Sequence, residues 1–159
     1  MGVSGSVKTL VGTGFARALG VDFVEGDEYH SAENVKRMSS GIALTDEDRA
    51  EWLHSLAARL CEAKEADTGL VMSCSALKRT YRDILRSGTG PLRFVFLKGE
   101  RALIAERLAS RRSHFMPPVL LESQFAALEE PSPDEEAWVC DIRRSPPEIV
   151  AGLVARAST

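Results

Sequence analysis

Short apolar runs alternate along this chain with longer stretches of helical periodicity, and that alternation limits the folds open to it. Asp22-Phe23-Val24, Leu70 to Cys74, Leu92 to Leu97 and Ala137 to Cys140 read as buried strands. The third is the clearest, being rich in β-branched and aromatic residues. From Asp46 to Ala66, Leu53, Leu56, Ala57 and Leu60 recur at i, i+3, i+4 and i+7, and Thr45 with Asp48 forms a capping-box pattern at the start. Glu100 to Ser110 has Leu103, Ile104 and Leu108 on one side. At the C-terminal end, Ser145 reads as an N-cap, Pro146 as the first helical residue and Glu148 as the third, ahead of Ile149, Val150, Leu153 and Val154. Strands separated by helices predict an α/β fold, a parallel sheet covered on both faces. The breaks at 87–91 and 129–136 read as surface loops, so residues 1–159 are expected to form one domain.

Composition removes several function classes. Twenty Lys and Arg against 23 Asp and Glu give a net charge of −3, with no broad basic surface for a nucleic-acid backbone. Hydrophobic residues at 44% and charged residues at 27% fit a globule with a real core, not a disordered chain. No apolar run approaches the ~18 residues needed to span a bilayer, and no secretory leader pattern is seen, so neither a membrane nor export is expected. Cys61, Cys74 and Cys140 lack CxxC spacing, which predicts reduced thiols in a cytoplasm. Cys74 ends a strand and is expected in the core, as are Trp52 and Trp138.

The chemistry-bearing motif is Gly2-Val3-Ser4-Gly5-Ser6-Val7-Lys8-Thr9. It follows the phosphate-binding pattern G-x-x-x-x-G-K-[ST] except at the second glycine, where Val7 stands. Small residues let backbone N–H groups curl around phosphate oxygens, the lysine reaches the β- and γ-phosphates, and the hydroxyl meets Mg²⁺. The helix that follows adds its positive end, with Val11, Phe15, Ala18 and Leu19 as its apolar face. A β-branched residue in a glycine conformation costs about 1–3 kcal/mol. Strain arising only on nucleotide binding would weaken affinity roughly ten- to a hundredfold. Such a loop should also follow a strand, and only Met1 precedes Gly2.

Three further blocks carry a resemblance. The first is Glu25-Gly26-Asp27-Glu28-Tyr29-His30 with Asn34, Lys36 to Met38, Gly41 to Arg49 and Trp52. The second is Cys74-Ser75-Ala76-Leu77-Lys78-Arg79 with Tyr81-Arg82-Asp83. The third is His114-Phe115-Met116-Pro117-Pro118, then Gln124-Phe125 and Leu128 to Pro131. In this order, with the loop, they resemble the gluconokinases, small P-loop sugar-acid kinases related in fold to shikimate and nucleoside-monophosphate kinases. The sequence departs from that family at Val7, where a glycine is usual, and at Ser31, Ala43 and Glu51, where prolines are usual.

The resemblance implies a three-layer α/β/α P-loop kinase with a parallel sheet whose first strand is apparently missing from this chain. It implies a substrate-binding segment at about 28–55 and a lid at about 107–120 that closes over ATP. The implied reaction is transfer of the ATP γ-phosphoryl group to the 6-hydroxyl of D-gluconate. Gly2, Val3, Ser4, Gly5, Ser6, Val7, Lys8 and Thr9 would cradle the nucleotide, with Lys8 on the phosphates and Thr9 on its Mg²⁺. Arg107 and Arg111 would reach it from the lid. Asp27 would orient the attacking hydroxyl and take its proton, which makes Lys8 and Asp27 the expected catalytic pair. His30, Arg49, Lys78, Arg82, His114 and Gln124 are implied around the sugar acid, although Arg49 also suits a helix-surface ion pair and Gln124 helix packing. ATP, Mg²⁺ and D-gluconate are the expected ligands, and a homodimer the expected assembly. Two other readings stay open: a homologue that binds sugar acid or nucleotide without efficient transfer, and a kinase of this fold for another small polyol acid.

Overall fold

Met1 takes a strand position beside Val95 and Leu97. A computed structural model describes residues 1–87, 89–110 and 119–159. Met1 donates from its amine to the Val95 carbonyl at 2.5 Å and accepts from the Leu97 amide at 2.9 Å, the ladder of a parallel strand. Gly2 N–H then reaches the Ser75 carbonyl at 3.1 Å on the other side. The loop of residues 2–7 follows, and α1 (Lys8–Leu19) begins at its end, burying Val11, Phe15 and Ala16.

From α1 the chain enters β1 (Asp22–Glu25), a short 3₁₀ turn and α2 (Ala32–Ser39). The capping box opens α3 (Asp46–Glu65) as the sequence predicts: Asp48 N–H donates to Thr45 Oγ1 at 3.2 Å and Thr45 N–H to Asp48 Oδ2 at 2.8 Å. This helix buries Leu53, Leu56, Ala57 and Leu60, the predicted apolar face, together with Trp52. Then come β2 (Leu70–Ser73), α4 (Arg79–Arg86), β3 (Val95–Lys98), α5 (Arg101–Ala109) and α6 (Val119–Ala127). The chain ends with β4 (Trp138–Asp141) and α7 (Pro146–Ala157), capped by Ser145 and Glu148 as expected.

The strands are parallel but form two pairs among the described residues, β1 with β2 and β3 with β4. The parallel pairing agrees with the parallel sheet expected from the sequence. Met1 and Gly2 link the two pairs, through Val95 and Leu97 on one side and Ser75 on the other, and a cavity of about 430 Å³ lies between them. The run expected at Leu92 to Leu97 becomes a strand only at Val95, because β4 starts beside it and nothing pairs earlier on its other edge. One core cluster ties Val11 and Phe15 of α1 to Ile104 of α5 and Ile149 and Leu153 of α7. A second joins Trp52, Leu53 and Leu56 of α3 to Tyr81 and Leu85 of α4.

The segment 129–136 is not wholly a surface loop. Glu135 ends a 3₁₀ turn with its side chain 1% exposed, and Arg82 opposite it is equally buried. The guanidinium grips the carboxylate with two bonds, Nε to Oε2 at 2.6 Å and Nη2 to Oε1 at 2.7 Å. Its Nη1 donates to the carbonyls of Ala76, Leu77 and Glu129 at 3.0, 3.2 and 3.0 Å. Bonding to Arg82 holds the Glu135 carboxyl down at about 2, so the pair stays ionised in neutral solution. Removing one member leaves a buried charge unpaired. Glu135→Leu is therefore expected to destabilise the fold by about 3–5 kcal/mol in urea denaturation, while Arg82→Met with Glu135→Leu together recovers most of that loss. A single-variant loss near zero would contradict the lock.

Val7 caps α1 in the left-handed region, at φ 58° and ψ 27°, the conformation a glycine would take at no steric cost. The loop thus keeps its glycine shape in the unliganded chain, and the Val7 side chain packs on the core cluster of α1, α5 and α7. Strain that exists before binding lowers stability, not nucleotide affinity. The condition on which the sequence analysis rested a loss of affinity, strain arising only on binding, is therefore not met in this loop. Val7→Gly is expected to leave the dissociation constant for an ATP analogue within about threefold, measured by calorimetry. A tenfold or greater gain would show that the loop rearranges on binding.

Candidate active site

In an open parallel sheet, ligands collect at the carboxyl ends of the strands, where the chain turns from strand to helix. Three such turns meet here: the loop after Met1, residues 26–30 after β1, and residues 74–78 after β2. Gly2 sits at φ 145°, and a Cβ there would lie 2.8 Å from Ser6 Oγ and 2.9 Å from the Leu97 carbonyl, so only glycine lets the chain turn away from β3. Gly26 is squeezed in the same way, since a Cβ would lie 2.2 Å from the Ser73 carbonyl. That close passage brings Asp27 to the mouth of the loop.

Ser4, Lys8, Asp27, His30, Arg49 and Gln124 all line one cleft, together with Ser75 and Ser123. Its remaining wall is the small cluster of Met38, Leu44 and Leu120, and the open volume is only about 20 Å³. The sequence thus brings residues 4 to 124 to one point. Lys8 arches back over the loop, with Nζ 3.1 Å from the Val3 carbonyl. Gln124 meets the loop as well: its Oε1 accepts from Ser4 N–H at 2.7 Å and its Nε2 donates to Ser4 Oγ at 3.2 Å. These two bonds tie α6 to the loop, in the packing role that sequence left open beside substrate binding.

Asp27 stays in contact with solvent at the cleft rim. Dense protein around it nevertheless raises its carboxyl above the ordinary aspartate value, against the pull of Lys8 and Arg49 and with the help of Glu25. A more basic carboxylate is a better proton acceptor. His30 lies on the Trp52 ring at 4.2 Å between centroids and 16° between planes, and the indole N–H donates to the Gly26 carbonyl at 2.7 Å. Burial first, then Arg49, lowers the His30 ring to about 4. Its Nδ1 is buried without a hydrogen-bond partner among the described residues, so the ring offers a neutral polar atom, not a cation.

Among the described residues, Arg49 is then the guanidinium of the cleft, near the Tyr81 ring at 5.9 Å. The structure takes two expected substrate residues elsewhere. Lys78 pairs with Asp46 at 2.8 Å, outside the cleft lining. Arg82 is a correction: every donor nitrogen is bonded inside the protein, and it holds the turn 75–77 instead of facing a ligand. Ala76 in that turn adopts φ 44°, a strained value for alanine, and the guanidinium fixes the Ala76 and Leu77 carbonyls. Arg107 also lies away from the cleft, donating through Nη2 to the Ile142 carbonyl at 2.7 Å. Arg111 and His114 lie outside the described residues.

Thr9 Oγ1 donates to Glu25 Oε2 at 2.6 Å, and Ser73 Oγ donates to the other oxygen of the same carboxylate. Glu25 went unassigned in the sequence because a lone acid at a strand end has many uses. Ser75 went unassigned although it directly follows β2; the rule that sites gather at strand ends would have selected it.

A glycine loop with an invading lysine at a helix start, facing a carboxylate at the next strand end, defines a phosphotransferase of the P-loop type. Residues 4–146 match the family model described as shikimate kinase. The thermosensitive gluconokinase of Escherichia coli K12 is 48% identical over 137 residues, covering 86% of this chain and 73% of that protein. The gluconokinase of Gluconobacter oxydans 621H is 45% identical over 154 residues, covering 97% of this chain and 86% of that protein. The crystal structure of an unliganded sugar kinase from Janibacter sp. HTCC2649 superposes with a TM-score of 0.94 at 45% identity, covering 98% of this chain and 90% of that one. The chain belongs to the gluconokinase family of shikimate-kinase-like proteins.

The histidine makes stability depend on pH in a fixed direction. Its folded value of about 4 lies below the unfolded value, so folding favours the neutral ring. That contribution is complete above the unfolded value of about 6.5 and is lost as pH falls from there towards 4. His30→Gln is expected to flatten the acid side of the stability profile over this window, in urea titrations compared with the parent. Parallel profiles for the two proteins would contradict the buried neutral ring.

Proposed function

We propose that this chain is an ATP-dependent gluconokinase that forms 6-phospho-D-gluconate and ADP. The observation that carries the reading is the meeting of Lys8, Asp27, His30 and Arg49 in one cleft at the mouth of the glycine loop. The loop amides and Lys8 hold the phosphate chain, as in other loops of this pattern. The sugar-acid hydroxyl attacks the γ-phosphorus in line, the bond to the β-bridging oxygen breaks, and ADP leaves. Asp27 orients that hydroxyl and receives its proton. Arg49 suits the carboxylate, since a guanidinium can bind both oxygens in one plane. Neutral His30, with Ser75 and Ser123, suits the row of hydroxyls.

Thr9 and Glu25 offer oxygen donors 2.6 Å apart, a set that fits a hard divalent cation, and Mg²⁺ held there would supply neutralisation of phosphate charge. A six-carbon acid would have to part the wall of Met38, Leu44 and Leu120, given the small open volume. The segment 28–55 contributes most of that side of the cleft and is the proposed substrate segment; 107–120, with Arg107 and Arg111, is the proposed lid. The resemblance further supports a homodimer working in the cytoplasm, and no helix among the described residues is long and apolar enough to cross a membrane. Val7 favours activity over an impaired homologue, because the loop keeps the shape that glycine would give it.

The test is ADP release by purified protein given ATP, Mg²⁺ and gluconate. Gluconate-dependent turnover is expected, and Asp27→Asn should lower it about 100- to 10,000-fold while leaving the melting temperature nearly unchanged. Arg49→Met should act mainly on the KM for gluconate. A folded, ATP-binding protein that turns over another polyol acid but not gluconate would overturn the substrate assignment.

A further inference from the structure

We propose that Trp52 is a positioning residue of the site: one indole holds both ends of the turn that carries Asp27, and so fixes the proton acceptor relative to Arg49. Its edge takes the start of the turn, the N–H donating to the Gly26 carbonyl at 2.7 Å. Its face takes the end, stacked on the His30 ring at 4.2 Å between centroids. Between these two grips the His30 amide donates to the Asp27 carbonyl at 3.3 Å and closes the turn. Asp27 and His30 line the cleft, while Trp52, 2% exposed, is buried behind them. The role is therefore one of placement and involves no contact with substrate.

The bond to Gly26 acts on Asp27 through the peptide plane. A peptide unit is planar and trans, so holding the Gly26 oxygen fixes the Asp27 nitrogen and Cα with it. Gly26 has no room to move away from that bond. A Cβ on it would lie 2.2 Å from the Ser73 carbonyl of β2 and 3.4 Å from Leu56 Cδ1 of α3. On α3, Arg49, Trp52 and Leu56 are spaced by three and four residues and share one face. Along that face Arg49 reaches the cleft, Trp52 grips the turn and Leu56 enters the core. One rigid helix thus sets the separation of guanidinium and carboxylate. Filling the core requires volume alone, which Phe or Leu supplies; the paired N–H and the stacked histidine add direction.

The inference rests on the kinase reading, and its test separates the two. Trp52 would be replaced by its benzothienyl isostere, in which sulfur stands in for the indole N–H while ring, stack and core volume are kept. In gluconate turnover, kcat is expected to fall about 10- to 100-fold, the cost of a misplaced reacting group. The KM values for ATP and gluconate should stay within about threefold, and the melting temperature nearly unchanged. Trp52→Leu, which also removes the stack on His30, should in addition raise the KM for gluconate. A kcat equal to that of the parent would overturn the proposal, and so would a kcat loss that comes with an equally clear loss of melting temperature. The NMR order parameter of the Asp27 amide gives a readout without activity: it is expected to fall from about 0.85 to below about 0.6 in the isostere, with α5 unaffected. A parent chain without gluconate-dependent turnover would defeat the kinase reading, while this comparison still decides the clamp. Equal order at Asp27 in the two proteins would overturn it.

Discussion

The placement of the glycine loop rests on a hydrogen-bonded seam two residues wide. Met1 is pinned to β3 and Gly2 to the carbonyl of Ser75, and everything from Ser4 to Thr9 hangs from those anchors. The Ser75 anchor is itself held from behind. Arg82 takes the next two carbonyls, at Ala76 and Leu77, and is neutralised by Glu135. A buried ion pair contributes little net stability against an apolar pair of the same shape, but it fixes geometry sharply. Here the geometry it fixes is a strained turn that supports the loop on one side and lines the cleft on the other.

The charges at the site divide their work by environment. Crowding raises the basicity of Asp27 against the pull of Lys8 and Arg49, which suits a group that accepts a proton. The same Arg49, with burial, keeps His30 neutral. A single cation thereby favours an anionic carboxylate and an uncharged imidazole a few residues apart. That arrangement suits a substrate with one carboxylate and many hydroxyls, because one charge is matched and the rest is met by neutral polar atoms.

Much of the fold was legible in the sequence. The apolar spacing of α3, the capping boxes at Thr45 and Ser145 and the strand runs at 22–24 and 70–74 are local signals, and local signals survive folding. Which strands pair was not legible, because the pairing joins elements far apart in sequence. At the site, Lys8 was proposed from the loop motif and Asp27 from the resemblance, and both line one cleft. Arg82 was misread for a physical reason: an arginine in a motif looks the same whether it faces a ligand or an internal acid, and Glu135 lies 53 residues away in a loop that reads as surface. Gln124 and Glu25 likewise owe their partners, Ser4 and Thr9, to tertiary contact.

The central claim is that the arch of residues 2–9 is already formed for a phosphate chain, with Lys8 as its cationic contact. The direct measurement is the calorimetric affinity of a non-hydrolysable ATP analogue with Mg²⁺ for the parent chain and for Lys8→Ala, each with its melting temperature. The account predicts saturable binding to the parent, about 10- to 100-fold weaker binding to the variant, and little change in melting. Equal affinities, or no binding to a folded parent chain, would contradict it.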